Sequence, residues 1–355
     1  MKITPIPMLA AAASTLLLLT THARPELMAQ TASSRGLTAV PGLKVGHHTL
    51  TGRPTGCTVV LAEKGATAGV DVRGSAPGTR ETALLAPTAS VAQVHAIVLS
   101  GGSAFGLDTA TGVMRYLEQQ GVGFPFGGAV IPIVPAAILF DLGVGDPKIR
   151  PGADCGFAAA KAATDDPVTE GNVGAGAGAT VGKMGGRGRA MKGGIGSAAI
   201  ALPNGLVVAA LVAVNARGDI VDPATGQVVA GMRTEDGRSL ADVRRRLKSG
   251  ELELPLPDVL QHTTLGIVAT NATMTKTQAT RVAQMAHDGF ARAISPAHTS
   301  ADGDLIFALA TEERTAPDDI DTIGTLAAEV MAEAILRAVR AATGIPGYPA
   351  ARDLR

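Results

Sequence analysis

Tryptophan is absent from this sequence, tyrosine occurs twice and phenylalanine seven times, so aromatics make up only 3% of its 355 residues. That scarcity excludes a surface designed to stack nucleic-acid bases on aromatic rings. Charge of one sign is lacking as well, because 31 Lys and Arg are balanced by 31 Asp and Glu. The chain therefore has no broad electrostatic footprint for nucleic acid or for acidic membrane surfaces. The seven histidines are scattered, with His47 and His48 adjacent, and no Cys/His cluster has zinc-binding spacing. No G-x-S-x-G elbow supports an internal serine triad.

Glycine is abundant, with 44 residues, and 46% of the chain is hydrophobic, with a mean hydropathy of +0.24. A large core follows, and the length admits two domains or one large layered α/β domain. The glycines cluster, which points to tight turns and to close approach of backbone to backbone or ligand. The N-terminus reads as an export signal: Lys2 supplies positive charge, and "MLAAAASTLLLLT" is an apolar run short of a full span. "THA" ending at Ala23 and "LMA" ending at Ala29 both offer cleavage points. Arg24-Pro25 is a poor mature start, which favours Ala29. An uncleaved anchor is the rival reading. No later apolar run is long enough to insert stably in a membrane, so the mature protein is expected in the periplasm or secreted. Cys57 and Cys155 could pair there. Cys57, in the strand-like "CTVVLA", reads better as a small buried hydrophobe, since so long a chain needs no covalent staple.

Along the chain, short β-type runs broken by Gly and Pro precede the strand "VHAIVLSGG" and the helix-spaced "SAFGLDTATGVMRYLEQQG". "AVIPIVPAAILFDL" reads as strand, turn, strand, and "GADCGFAAAKAAT" as a helix. Residues 171–196 hold the densest glycine, and "LVVAALVAVN" follows among further β-signals. Residues 233–262 are charged and read as an exposed connection with room for one helix. "TTLGIVATNA" and "DLIFALAT" are strands. Between them lies a helix with a Thr275…Gln278 capping box, on which His287 falls on the polar, solvated side. A long helix over 319–342 closes the chain. No strict βαβ alternation appears, so a layered α/β sandwich with mainly antiparallel sheets is expected.

The glycine-rich stretch Gly174 to Ala179 satisfies G-x-G-x-x-A, but a polar segment precedes it instead of a strand, and Met184 stands where a phosphate loop needs Ser or Thr. Nucleotide binding is disfavoured; the glycines read as close packing around a site. The boundary "QHTTLGIVATN" is more informative. A hydroxyl nucleophile needs a base. A nucleophile that begins a chain can use its own α-amine, whose pKa of about 7.7–8.0 lies near operating pH. Such a residue must be released by cleavage of the bond before it. An exposed linker, a Thr and an immediate core strand fit that need; a Thr that merely starts a strand is the plain alternative.

Here the residues form a recognisable set. "VLSGGSAFGLDTATGVM", "GAGAGATVGK", "KGGIGSAAI", "LVAVNARGDIVDP", "TTLGIVATNATMTKTQ" and "HTSADGDLIFALAT" occur in one order. Together, over nearly all of residues 38–345, they resemble the self-processing N-terminal-nucleophile peptidases. That family includes L-aminopeptidase/D-esterases, β-peptidyl aminopeptidases and nylon-oligomer hydrolases. The resemblance implies a four-layer αββα sandwich of the N-terminal-nucleophile-like type. It implies cleavage between His262 and Thr263, with Thr263 as nucleophile and Thr264 serving the strand. Members usually carry Asn or Gly where His262 stands. Asn215 matches an asparagine implied to hold the oxyanion. Asp302 and Asp304 match a pair flanking a glycine that would orient Thr263 and its amine. Lys183 matches a lysine of the nylon-hydrolase branch implied in charge stabilisation, an exposed loop lysine being the plain reading. Phe140 stands where some members have Tyr, so one substrate hydrogen bond is in question. "GGSAFG" would shape the pocket, with no partner assignable.

The expected organisation is a signal over 1–29, an α part over 30–262 and a β part over 263–355 of one catalytic domain. The expected activity is an exported amidohydrolase that hydrolyses amides of N-terminal amino acids in small peptides or amides through an acyl-threonine. It would use no metal or organic cofactor and would form a homo-oligomer, commonly a tetramer of processed protomers. The alternatives are a catalytically idle exported binding protein of the same fold, or an acyltransferase of the ornithine acetyltransferase type.

Overall fold

The computed structural model describes Met1 and residues 33–252, 262–314 and 318–354. The expected signal, both of its cleavage points and most of the linker before Thr263 lie outside the described residues. A nine-stranded sheet organises the chain. Its strands are β1 (Lys44–Thr49), β2 (Gly56–Val72), β3 (Gly78–Arg80), β4 (Gln93–Ser100), β5 (Ala136–Ile138), β6 (Gly194–Ala201), β7 (Val207–Val214), β8 (Leu265–Thr270) and β9 (Leu305–Ala310). The spatial order is β6-β7-β8-β9-β2-β4-β5-β3, with β1 on β2. Pairing is antiparallel except for β8 with β9 and β4 with β5.

The long strand β2 converts this path into two facing layers. Its first half pairs with β1 and β4, and residues 67–72 pair with β9, with a register shift between Leu61 and Ala66. Alternation then decides what each face meets. On β7, Ala209, Leu211 and Ala213 join Ile97 and Leu99 of β4 and Phe307 of β9 in a core between the layers. The intervening Val208, Ala210, Val212 and Val214 point outward onto two helices. These helices are α4 (Lys276–Ala293) and α5 (Ile320–Ala341). On the opposite outer face, Val59, Leu61 and Val98 meet α1 (Thr109–Gln119) and α2 (Ala153–Lys161). The result is helix, sheet, sheet, helix, with mostly antiparallel strands. A strand buried on both faces needs near-continuous apolar sequence, and "VVAALVAV" supplies it. Each large side chain in these cores, such as Phe290 and Phe307 at 0% exposure, contributes about 1.5–3 kcal/mol.

Local signals behave as read. The Thr275 capping box with Gln278 opens α4, and Asp319 caps α5 through the Thr322 N–H. Gly112 lets α1 and α2 meet backbone to backbone, since a Cβ there would lie 1.7 Å from the Ala153 carbonyl oxygen. Within the charged connection, α3 (Val243–Ser249) forms, and Val243 is buried rather than exposed.

Two expectations are corrected. Cys57 and Cys155 are joined as a disulfide across 98 residues, with Cα atoms 6.3 Å apart. Cys57 is indeed buried in β2, but α2 lies on that face and turns Cys155 toward it, a proximity created by layer packing. His287 is fully buried. The polar side of α4 is covered near its C-terminal end by the chain around Asp71 and His298, whose ring lies 4.7 Å from that of His287.

Reduction of the bridge, or the double change Cys57→Ala with Cys155→Ala, is expected to cost about 2–4 kcal/mol of stability. Urea unfolding with and without reductant measures this; an unchanged midpoint would show that the bridge adds nothing.

Candidate active site

Three adjacent strands converge at one end of the sheet. Leu265 at the start of β8 faces Ala213 near the end of β7 and Leu305 at the start of β9. Extending that register brings Thr263 beside Asn215 and His262 beside Asp302. The Thr263 N–H donates to the Asn215 carbonyl at 3.1 Å, and His262 bridges Asp302 in parallel. Thr264 continues the strand: its N–H donates to Asp304 Oδ1 at 2.8 Å and its carbonyl accepts from Leu305 N–H at 3.3 Å. Thr263 is 2% exposed. Its hydroxyl donates to the carbonyl oxygen of His262. The same oxygen accepts from Gly303 N–H at 3.3 Å. A Cβ on Gly303 would lie 2.7 Å from Thr263 Oγ1 and 2.5 Å from the Ala76 carbonyl oxygen, so glycine is required between them.

Asn215 is fully buried and bonded on every side. Its Oδ1 accepts from Thr180 N–H at 3.0 Å and from Lys183 Nζ at 2.8 Å, and Nδ2 donates to the Phe140 carbonyl at 3.0 Å. Lys183 Nζ also donates to the Asn215 carbonyl at 3.0 Å. Lys183 is thus a buried group of the site rather than an exposed loop lysine. Burial, opposed mainly by the Asp302 charge, pushes its pKa down to about 7. Phe140 contributes its main-chain carbonyl, so the absent phenolic hydroxyl does not leave the position idle. The next residue, Asp141, forms a fully buried pair with Arg53 at 2.6 Å. Asp141 also accepts from the Thr55 hydroxyl at 2.5 Å and from Gly102 N–H at 2.9 Å. This carboxylate is the partner that the "GGSAFG" stretch lacked in the sequence. Phe140, Thr180, Lys183, Arg187 and Tyr348 line a small cleft here.

The carboxylates differ in their surroundings. Asp302 Oδ2 accepts from Thr299 N–H at 3.0 Å and from the Thr299 hydroxyl at 2.5 Å. Its Oδ1 is buried with no hydrogen-bond partner among the described residues. Burial, reinforced by the Asp304 charge, raises its pKa to about 6. Asp304 is satisfied by Thr264 on one oxygen and by His298 on the other. Burial, helped by the charges of Lys183, Arg217 and Arg187, lowers His262 to about 2, so it is neutral at ordinary pH.

The structure therefore gathers Thr263, His262, Asn215, Lys183, Asp302 and Asp304 at one place. Sequence reasoning missed three supports. His298 lies within the quoted "HTSADGD" but carries no spacing signal. The pair of Arg53 with Asp141 spans 88 residues. Lys192, at 0% exposure, donates to the carbonyls of Gly176 at 2.8 Å, Ala179 at 2.9 Å and Gly193 at 3.0 Å. It thereby ties down the glycine-rich loop that carries Thr180 to Asn215. Its presence in the quoted "KGGIG" was the available hint.

Residues 35–352 match peptidase family S58. The chain belongs to that family. An uncharacterised aminopeptidase of Mycobacterium leprae (strain TN) is 42% identical over 348 residues, covering 90% of this chain and 93% of that one. A 6-aminohexanoate-oligomer endohydrolase of Kocuria sp. (strain KY2) is 29% identical, covering 84% of each. Among solved structures, a Burkholderia sp. beta-aminopeptidase superposes with a TM-score of 0.65 at 24% identity, covering 88% of each chain. An L-aminopeptidase D-Ala-esterase/amidase from Ochrobactrum anthropi, described as a variant of the Ntn hydrolase fold, gives 0.64 at 20% identity, covering 89% of this chain and 90% of that one. These two structures speak to the fold. This S58 peptidase is accordingly a hydrolase of the aminopeptidase and amidohydrolase group.

Two consequences are measurable. An Asp302 carboxyl raised from 3.8 to about 6 holds its proton in the folded protein across a window where the unfolded chain has lost it. Stability contributed by that proton is lost as pH rises through the window. Asp302→Asn cannot titrate, so its melting temperature should gain on wild type as pH rises between about 4 and 6 and level off above that; a constant difference across thermal melts would contradict the raised pKa. Arg53→Met strands a buried carboxylate and should cost about 3–5 kcal/mol in urea unfolding, with a loss below about 1 kcal/mol counting against the pair's role in holding Phe140.

Proposed function

We propose that this S58 hydrolase is made as a precursor that cuts itself between His262 and Thr263, and that Thr263 then acts as the N-terminal nucleophile of an aminopeptidase or amidase. The observation that carries this reading is the Thr263 hydroxyl packed against the carbonyl of the residue before it, at the head of a core strand. Gly303 N–H already rests on the oxygen of that carbonyl, the position where negative charge would develop.

In the self-cleavage step, Thr263 Oγ attacks the His262 carbonyl carbon, the C–N bond breaks, and the Thr263 nitrogen gains the proton. Water then hydrolyses the resulting ester, leaving a His262 carboxylate and a Thr263 with free hydroxyl and α-amine. In turnover the amine takes the hydroxyl proton as Oγ attacks a substrate amide. The departing amine takes that proton, and water releases the acyl group from Thr263. In this reading Asn215 and Lys183, which hydrogen-bond to each other beside Thr263, stabilise the oxyanion. The open oxygen of Asp302 suits the new ammonium, and Asp304 holds the Thr264 N–H. The names of the relatives, an aminopeptidase and an oligomer endohydrolase, support amides of N-terminal amino acids in small peptides or amides as substrates. Export through residues 1–29, division into parts over 30–262 and 263–355, and a homo-oligomer of processed protomers complete the proposal.

Denaturing electrophoresis of purified protein should show two chains, with N-terminal sequencing of the smaller starting at Thr263. Thr263→Ala should remain whole and lose amidase activity on amino acid amides. A wild-type chain that stays intact on long incubation would sink self-processing. Activity retained in Thr263→Ala would point to another nucleophile.

A further inference from the structure

We infer that His298 is a positioning residue for the reaction, holding the Asp304 carboxylate so that Asp304 in turn fixes the backbone of the nucleophile. The inference rests on the reading of Thr263 as the nucleophile. Asp304 Oδ2 lies 3.0 Å from His298 Nδ1 and 3.0 Å from the His298 backbone nitrogen. A carboxylate can only accept, so Nδ1–H is the donor. Its other oxygen accepts from Thr264 N–H at 2.8 Å. The carboxylate therefore bridges the ring of His298 to the peptide bond directly after Thr263, and nothing flexible intervenes.

The ring is built into place for this task. It stacks on Phe290 with centroids 5.8 Å apart and meets the edge of His287 at 4.7 Å. Nδ1–H is given to Asp304, and Nε2 is buried with no partner among the described residues. His287 is held by the Asp71 carbonyl at 3.1 Å and is kept neutral at ordinary pH, since burial lowers it to about 4. Among the described residues, Asp304 is the only hydrogen-bond partner of the His298 ring. His298 also sits at φ +55°, a region that suits Asn or Gly better than most residues.

A purely structural ring would be replaceable by any side chain that fills its space. A positioning residue needs the N–H at Nδ1. Asn places its amide nitrogen near that atom and tolerates the backbone conformation, whereas Leu fills the volume without a donor. The rate at which freshly made precursor is converted to two chains, read by denaturing electrophoresis, needs no knowledge of the natural substrate. His298→Leu and His298→Ala should slow that conversion about 10- to 100-fold, the scale of a lost hydrogen bond to a charged group. His298→Asn should recover most of the rate. In processed protein assayed with alanine p-nitroanilide, the same variants should lower kcat with little change in KM, because Asp304 touches the nucleophile's backbone and not the substrate. Thermal melts on each variant separate folding from function.

The outcomes divide cleanly. A wild-type precursor that never divides overturns self-processing and this inference together. A wild type that divides while His298→Ala or His298→Leu divides equally fast overturns the inference alone. Equal slowing in His298→Asn and His298→Leu at matched melting temperatures also overturns it, since the donor would then be irrelevant. Should His298→Ala fail to fold, the comparison of Asn with Leu still decides.

Discussion

The site depends on the pairing of β8 with its two neighbours. Because β8 runs antiparallel to β7 and parallel to β9, the residues before its first ladder pair meet the end of one neighbour and the start of the other. Asn215 leaves β7 at the same level at which Thr263 enters β8, and Asp302 and Asp304 precede β9 there. A slip of one residue would turn Thr263 and every core side chain of β8 to the wrong face. The apolar pattern that buries both faces of this strand is thus the same constraint that sets the facing of Thr263, the proposed nucleophile.

Around that end the chain concentrates buried polarity that a core would normally avoid. Lys183, Lys192, Asp141, Asp302 and Asp304 are all nearly inaccessible. Such groups are tolerated when paired or hydrogen-bonded, and most are: Asp141 by Arg53, Lys192 by three carbonyls, Asp304 by three donors. The open oxygen of Asp302 breaks the pattern, and a buried carboxyl with so raised a pKa marks a candidate functional site. The three apolar cores on either side supply the stability against which this is set.

Glycine has a comparable double use. Gly303 admits Thr263 against Ala76, and Gly112 brings two helices into backbone contact. The glycine-rich loop, which resembles a nucleotide motif in isolation, is instead drawn around Lys192 and delivers Thr180 to Asn215. Its short residues matter because they let three carbonyls converge on one ammonium.

Much of this was legible from local pattern. The two-faced strands, the capping box of α4 and the hydroxyl at the head of β8 follow from side-chain periodicity and backbone chemistry over a few residues. The ordered motifs pointed to Asn215, Lys183, Asp302 and Asp304 as companions of Thr263. Other features depended on contacts that no local signal encodes. Whether Lys183 is solvated or buried, whether Cys57 meets Cys155, and that His287 and His298 meet edge to face beside Asp304 were all decided by how layers pack, across 88 residues or more in the cases of Arg53 with Asp141 and Cys57 with Cys155. By itself the sequence determined the strands, the faces they bury and the candidate nucleophile, because those rest on short-range geometry. Only the tertiary structure decided which distant polar groups share the site and how each is charged, because burial and hydrogen bonding are properties of neighbours in space.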